Sequence, residues 1–214
     1  MKKSLKVPLI LAIVAILFLP YKAIAFEGGM PENSIARKAC QLKMDQQKLW
    51  IDHVLLTRNY IISDIASLED KTVVTQALME NQEDIGNLFK PYYGDEFGNN
   101  LTTLLKQHID IAGKLVDAAK SENSDDVKKL NDEWHQNADK ISKLIASANP
   151  DLKEDVIRDM FYKHLDLTIK ETEARINKDW EADLTAYQLG EDHIVKFADM
   201  LSEGIIKQFA KKFK

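Results

Sequence analysis

The chain has 214 residues, 45% of them hydrophobic and 29% charged, and its formal net charge is -5. That length and apolar fraction are enough for one domain with a substantial core. The acidic balance argues against nucleic acid and anionic lipid as partners, and a single cysteine, Cys40, excludes an internal disulfide framework.

The first 25 residues run from a basic start, MKKSLK, through an apolar stretch over 7–19 to Ala23-Ile24-Ala25. This is the order of a secretory signal peptide, with cleavage expected after Ala25. The apolar stretch is short and closed by Pro20, so no transmembrane anchor is expected after processing. No cysteine follows the small residues, so there is no lipoprotein site. Processing would remove Lys2, Lys3, Lys6 and Lys22 and no acid, taking the net charge from -5 to -9. The expected product is a secreted or extracytoplasmic protein with an irregular segment over 26–33 and a single helical-bundle domain over 34–214.

From Ser34 onward the apolar period is helical. A first helix is expected over 34–66, with Leu42, Leu49, Trp50, His53, Val54, Thr57 and Ile61 facing inward. A second, over 71–89, carries Val74, Leu78, Asn81, Ile85 and Leu88; Pro91 should stop it, and PYYGDEFGNN reads as a turn-rich loop. Asn100 can then cap a third helix over 101–120, with Leu104, Leu105, His108, Ile111, Ala112 and Leu115 in its stripe. A fourth spans 125–148, and Asn149-Pro150 ends it. A fifth spans 153–176, with Ile157, Met160, His164, Thr168 and Glu171 in line. A sixth spans 179–209 and puts Trp180, Asp183, Tyr187, Ile194, Ala198, Leu201 and Ile205 on one side. No alternating run supports a strand. The fold class is therefore all-α: an up-and-down antiparallel bundle of about six helices joined by short loops.

The phrases LWIDHVLLTRNYI, NQEDIGNLFKPYY, LLKQHIDIA, KHLDLT and GIIKQF, spread over most of the chain after residue 25, are similar to those of a family of small secreted bacterial helical proteins. The family has no established activity, and its members are often named glycosyltransferase or acetylglutamate kinase. Where its pattern has Gln-Phe-Pro near the C-terminus, this chain has Gln208-Phe209-Ala210. Neither enzyme name suits these residues. A nucleotide-sugar transferase needs a sheet edge with an Asp-x-Asp metal clamp, and a kinase of that type needs Gly-rich phosphate loops; the sequence predicts neither. No nucleophile stands beside a base, so no catalytic residues are assigned.

Three closely matched phrases place a histidine on an apolar face: DHVLLT at His53, QHIDIA at His108 and KHLDLT at His164. One helical turn on from each stands a small residue, Thr57, Ala112 or Thr168, leaving room beside the imidazole for a ligand, a water or a large side chain. A looser version surrounds His193, whereas His135 falls outside the stripe of its helix. Asn81, Asn137, Glu171, Asp183 and Tyr187 add buried polarity. An unpaired buried polar group costs about 1 to 3 kcal/mol, so these should be satisfied by one another, by water or by something bound.

Three readings follow from this inventory. His53, His108 and His164, with Glu171 or His193, could hold a transition metal or haem within a bundle, although the Glu-x-x-His, CxxCH and His-Glu-x-x-His signatures are missing. Each histidine could instead be a packing residue hydrogen-bonded to a neighbour, since a duplicated helix copies a packing residue as readily as a ligand. Thirdly, the protein could bind a cell-envelope or wall partner through a helical face or through the basic tail KQFAKKFK, which carries Phe209 and Phe213. The reading preferred from sequence is a non-catalytic binding protein with a histidine-centred polar layer that takes a metal, haem or small polar ligand.

Overall fold

A computed structural model describes residues 34–214; the expected signal peptide and the irregular segment over 26–33 lie outside the described residues. Six helices follow in order: α1 Ser34–Ile65, α2 Lys71–Tyr93, α3 Asp95–Lys120, α4 Ser124–Ala148, α5 Glu154–Ile176 and α6 Trp180–Gln208, then a 3-10 turn, Ala210–Phe213. No strand occurs among the described residues, and none of their helices is long and apolar enough to cross a membrane. Each helix packs on the next and α6 returns to α1, closing a ring, while α1, α3 and α5 also touch one another across the middle. Short antiparallel connections make α1, α3 and α5 run parallel, and their contacts with one another make them the inner helices.

The ring consists of three equivalent hairpins, α1-α2, α3-α4 and α5-α6. Their first helices are related by shifts of 55 and 56 residues, which bring Trp50, Leu105 and Phe161 into correspondence, as well as the three histidines. All three first helices end in the same turn. Leu68, Asn123 and Asp179 donate their N–H to the carbonyls of Ser63, Ala118 and Ala174 at 2.8, 3.0 and 2.9 Å. The preceding residues, Ser67, Glu122 and Lys178, have φ of 54, 56 and 62°. This is the left-handed stop that lets a helix satisfy its last carbonyls and reverse. Asn123 and Asp179 then cap α4 and α6 by accepting from Asp126 and Ala182.

The second helices correspond equally well. Asn81 Nδ2 bonds the Leu49 carbonyl at 3.0 Å, Asn137 Nδ2 that of Leu104 at 3.1 Å, and His193 Nε2 that of Met160 at 2.8 Å. Each of these carbonyls belongs to the residue one turn before the histidine of the same hairpin. Buried positions match along the way: Ile85, Ile141 and Phe197, then Phe89, Ile145 and Leu201.

Several sequence expectations need correction. Pro91 does not stop α2, which continues to Tyr93, and the expected loop is largely the first turns of α3. Pro91 lies in the final turn of α2 and forgoes one intrahelical hydrogen bond there, and Phe89, Tyr93 and Phe97 pack together across the joint at ring separations of 4.8 to 6.1 Å. Gly94, with φ 88°, makes the break alone, so Asn100 is an interior helical residue and not a cap. Trp180, expected inside, is 55% exposed and lies against the Arg175 guanidinium at 4.8 Å. The basic tail turns back on the bundle: Phe213 is buried and stacks on Tyr92, so it is not free to meet an outside surface.

Helices α2 and α3 meet through Gly86 and Gly98. A Cβ at Gly86 would stand 2.0 Å from Thr102 Oγ1 and 2.7 Å from the Gly98 carbonyl. The carbonyl belongs to rigid backbone, so the helices must separate to admit a methyl. Gly86→Ala should therefore destabilise the fold by about 1 to 3 kcal/mol despite alanine's better helix propensity, as read from the urea midpoint. An unchanged or raised midpoint would mean that the two helices are not in this close contact.

Candidate functional site

In-register hairpins bring His53, His108 and His164 to one level, just beyond the aromatic layer in which Trp50 and Phe161 each pack on Phe197 at 5.0 Å. All three are buried. The His164 ring stands between the other two, with ring centres 5.4 Å from His53 and 6.2 Å from His108. Burial pushes His53 down to about 4 and His108 to about 3, against weaker support from Gln82 and Asn137; burial also takes His164 well below its ordinary value, helped by the other histidines. The layer is therefore three neutral imidazoles at ordinary pH.

Their tautomers follow from their neighbours. Asn137 Nδ2 donates to the Leu104 carbonyl, so its Oδ1 faces His108 Nδ1 at 2.9 Å and accepts from it. His108 Nε2 then carries only a lone pair, sealed from solvent and without a partner. Gln82 Nε2, which has two hydrogens and no lone pair, lies 2.8 Å from the Leu78 carbonyl, 2.9 Å from Asn81 Oδ1 and 3.2 Å from His53 Nδ1, so it can accept nothing from that ring nitrogen. His53 Nδ1 is thus an acceptor, and the ring hydrogen is on Nε2. The His164 ring makes no hydrogen bond among the described residues.

Glu171 and His193, the other two candidate ligands, are occupied elsewhere. His193 bonds the Met160 carbonyl as its hairpin's counterpart of Asn81 and Asn137. Glu171 belongs to a separate ionic layer: Arg58 Nη1 reaches Glu171 and Asp183, each at 2.7 Å, and Arg175 reaches Asp183 at 3.0 Å. Tyr187 lies beneath the Arg58 guanidinium at 4.9 Å. Burial lifts Glu171 to about 7 against the pull of Arg58; in Asp183 burial acts the same way, but two arginine hydrogen bonds outweigh it and the net shift is downward. His135 is half-buried at the edge of α4 against Tyr162. Cys40 is exposed. Among the described residues, no three His, Cys, Asp or Glu side chains stand in an arrangement that would hold a metal ion.

Above the histidines the bundle opens into a cavity of about 490 Å³, walled by Tyr60, Ile61, Leu78, Ile109, Leu115, Val116, Trp134 and Ile169 among others. Thr57, Ala112 and Thr168, each one turn beyond its histidine, all line it. The hairpin equivalence explains why the space exists. Where α1 has the bulky Arg58 and the acidic Asp64, and α5 has Ile169 and Arg175, α3 has Gly113 and Ala119. A second, water-sized space of about 10 Å³ touches His164, Thr57, Thr168, Glu171, Tyr187 and Gly190. Gly190 occupies the position of Leu78 and Trp134 in the other hairpins, and a Cβ built on it would meet nothing within 4 Å.

Arg58 and Arg175 were not found by sequence reasoning, since each lies at the margin of its apolar stripe. The signal for them was indirect: Glu171 and Asp183 are charged residues on an inward face, which require buried cations. Comparisons with protein-family models, curated proteins and solved structures find no match.

The histidine layer makes the fold acid-sensitive. Imidazoles that are neutral when folded and ordinary when unfolded contribute stability that is present above pH 6.5 and lost as pH falls toward about 4. Glu171 acts oppositely, because its raised pKa removes stability as pH rises from 4.5 to about 7. Three protons against one leave these four groups a net uptake of roughly two protons on unfolding between pH 6 and 5, a slope of roughly 3 kcal/mol per pH unit, and His193, also lowered by burial, adds in the same direction. Denaturant unfolding across this range should show that fall, and His164→Gln should flatten it. A stability constant from pH 7 to 5 would contradict neutral burial.

Proposed function

We propose that the protein is a non-catalytic binding protein that holds a small molecule in the cavity above its histidine layer. One observation carries this reading: the three small residues beside the three histidines line one continuous space of about 490 Å³, a size typical of small-molecule pockets. The space opens to solvent past Glu122, Ser124, Lys128 and Glu173, so a ligand can enter, and an apolar-walled cleft lined by residues from three equivalent hairpins is better explained by an occupant than by contact with water. The basic, apolar and small-residue order of residues 1–25 supports action outside the cytoplasm after export. Mass spectrometry of the intact protein under non-denaturing conditions, after purification from its own cells, should find a bound small molecule that is released on denaturation. That mass should be absent from Ala112→Phe, which fills the space. Wild-type protein carrying no added mass would contradict the reading.

A second reading keeps a transition metal or haem at the histidines. It is favoured by the bare Nε2 of His108 and the unbonded His164, with Asn137 fixing the His108 tautomer as an outer partner does in metal sites. About one equivalent of metal in purified protein, lost in His108→Ala, would support it. Metal-free protein that gains no stability from zinc, copper, iron or haem would remove it.

A further inference from the structure

Charge divides the cavity along the bundle. From Ala112 at the histidine layer to Glu122 in the turn after α3 it extends roughly 15 Å, at the rise of a helix. Its charged wall residues, Glu122, Lys128 and Glu173, stand at that outer end, beside the turns that close α3 and α5, and all three are exposed. The inner wall carries no charge. Ile61, Leu78, Ile109 and Val116 are buried there, and Thr57 and Thr168 donate their hydroxyl hydrogens to the His53 and His164 carbonyls at 2.8 and 3.0 Å. Tyr60 and Trp134 give that wall neutral polar groups as well, so the division is between uncharged and charged, not between donors and acceptors.

The rim also lies on the least tied seam of the ring. Lys120 holds the end of α3 to that of α1 through the Asp64 carbonyl and through Ser67 Oγ, the latter at 3.1 Å, and Arg58 holds α1 to α5 and α6. Between α4 and α5 the tie is Tyr162 donating to Asp139 at 2.9 Å, on the far side of the histidine layer from the cavity. From that layer to the rim, no hydrogen bond or ion pair joins these two helices among the described residues. We propose that the cavity takes an amphiphile end-on: an apolar chain or ring system enters between α4 and α5 and lies along the inner wall, and its polar end stays in water at the rim. Drawing that end inside would strip its hydration among uncharged groups, whereas the apolar body gains by leaving water. This names the class of ligand for the cavity read above as the binding site. Affinity should then follow the length of the apolar body and be nearly indifferent to the size of the polar end.

Calorimetric titration of the protein with hexyl and octyl glucoside and with the matching 1-alkanols, all below micelle-forming concentrations, tests this. Each methylene laid into the cavity should tighten binding about fourfold, so octyl glucoside should bind about 15-fold more tightly than hexyl glucoside. Each glucoside should agree with the alkanol of the same chain within about threefold, because a sugar held outside neither clashes nor loses water. Ala112→Phe raises the floor and should remove the gain of octyl over hexyl. Should that variant fail to fold by circular dichroism, Ala119→Phe, which fills the space nearer the rim, serves in its place and should weaken both chains. If the alkanols bind and the glucosides do not, the polar end lies inside, so the end-on assignment is overturned and the cavity remains a binding site. Binding that ignores chain length, or that survives the cavity-filling variant unchanged, overturns it as well. If neither series binds, the cavity reading falls with it.

Discussion

The structure depends on register: three hairpins must stack so that their parallel inner helices meet level by level. Loops alone do not ensure this, because a helix pair can slide by a turn with little loss of apolar contact. Within each hairpin sliding is resisted by the repeated bond from the second helix to a carbonyl of the first, made by Asn81, Asn137 and His193; between hairpins it is resisted by Arg58 reaching Glu171 and Asp183, Gln47 reaching Asp199 and Tyr162 reaching Asp139. A slip of one turn would leave buried amides and an imidazole without partners, at about 1 to 3 kcal/mol for each group. The same three left-handed turns set the length of every inner helix.

From that register the rest follows as layers. Aromatic side chains close the lower core, neutral imidazoles lie above them, and small residues above those. The ionic layer belongs to the first and third hairpins through Arg58, Glu171, Arg175 and Asp183. In the second hairpin the positions of Arg58 and Arg175 carry Gly113 and Ala119, so the ring is filled on one side and open on the other. A charged buried cluster would not be kept for stability alone, since its desolvation opposes its attraction. Here it closes the bundle beside the cavity and directs the open space toward α3 and α4.

The helices and their number were legible because a period of 3.6 residues needs no tertiary information. Pro91 misled because a proline's effect depends on its distance from the helix end, and that end was set by aromatic packing around Tyr93 and Phe97. The candidate histidines were legible as matched phrases, each an imidazole with a small residue one turn on. Their meeting was not, because it requires that the three helices be parallel and stacked in register. Glu171 looked like a further ligand since face periodicity cannot reveal that Arg58, from another helix, occupies it. The cavity could not be read at all: it arises from what Gly113 and Ala119 lack relative to their counterparts, which is visible only once the hairpins are aligned.

A two-dimensional nitrogen-15 NMR titration of the histidine side chains tests the buried layer most directly. The three buried imidazoles should stay neutral from pH 7.5 to about 5, one of them, His108, with its hydrogen on Nδ1 and an unprotonated Nε2. If the three titrate near 6.5, or if His108 carries its hydrogen on Nε2, the buried layer and the register that creates it are wrong.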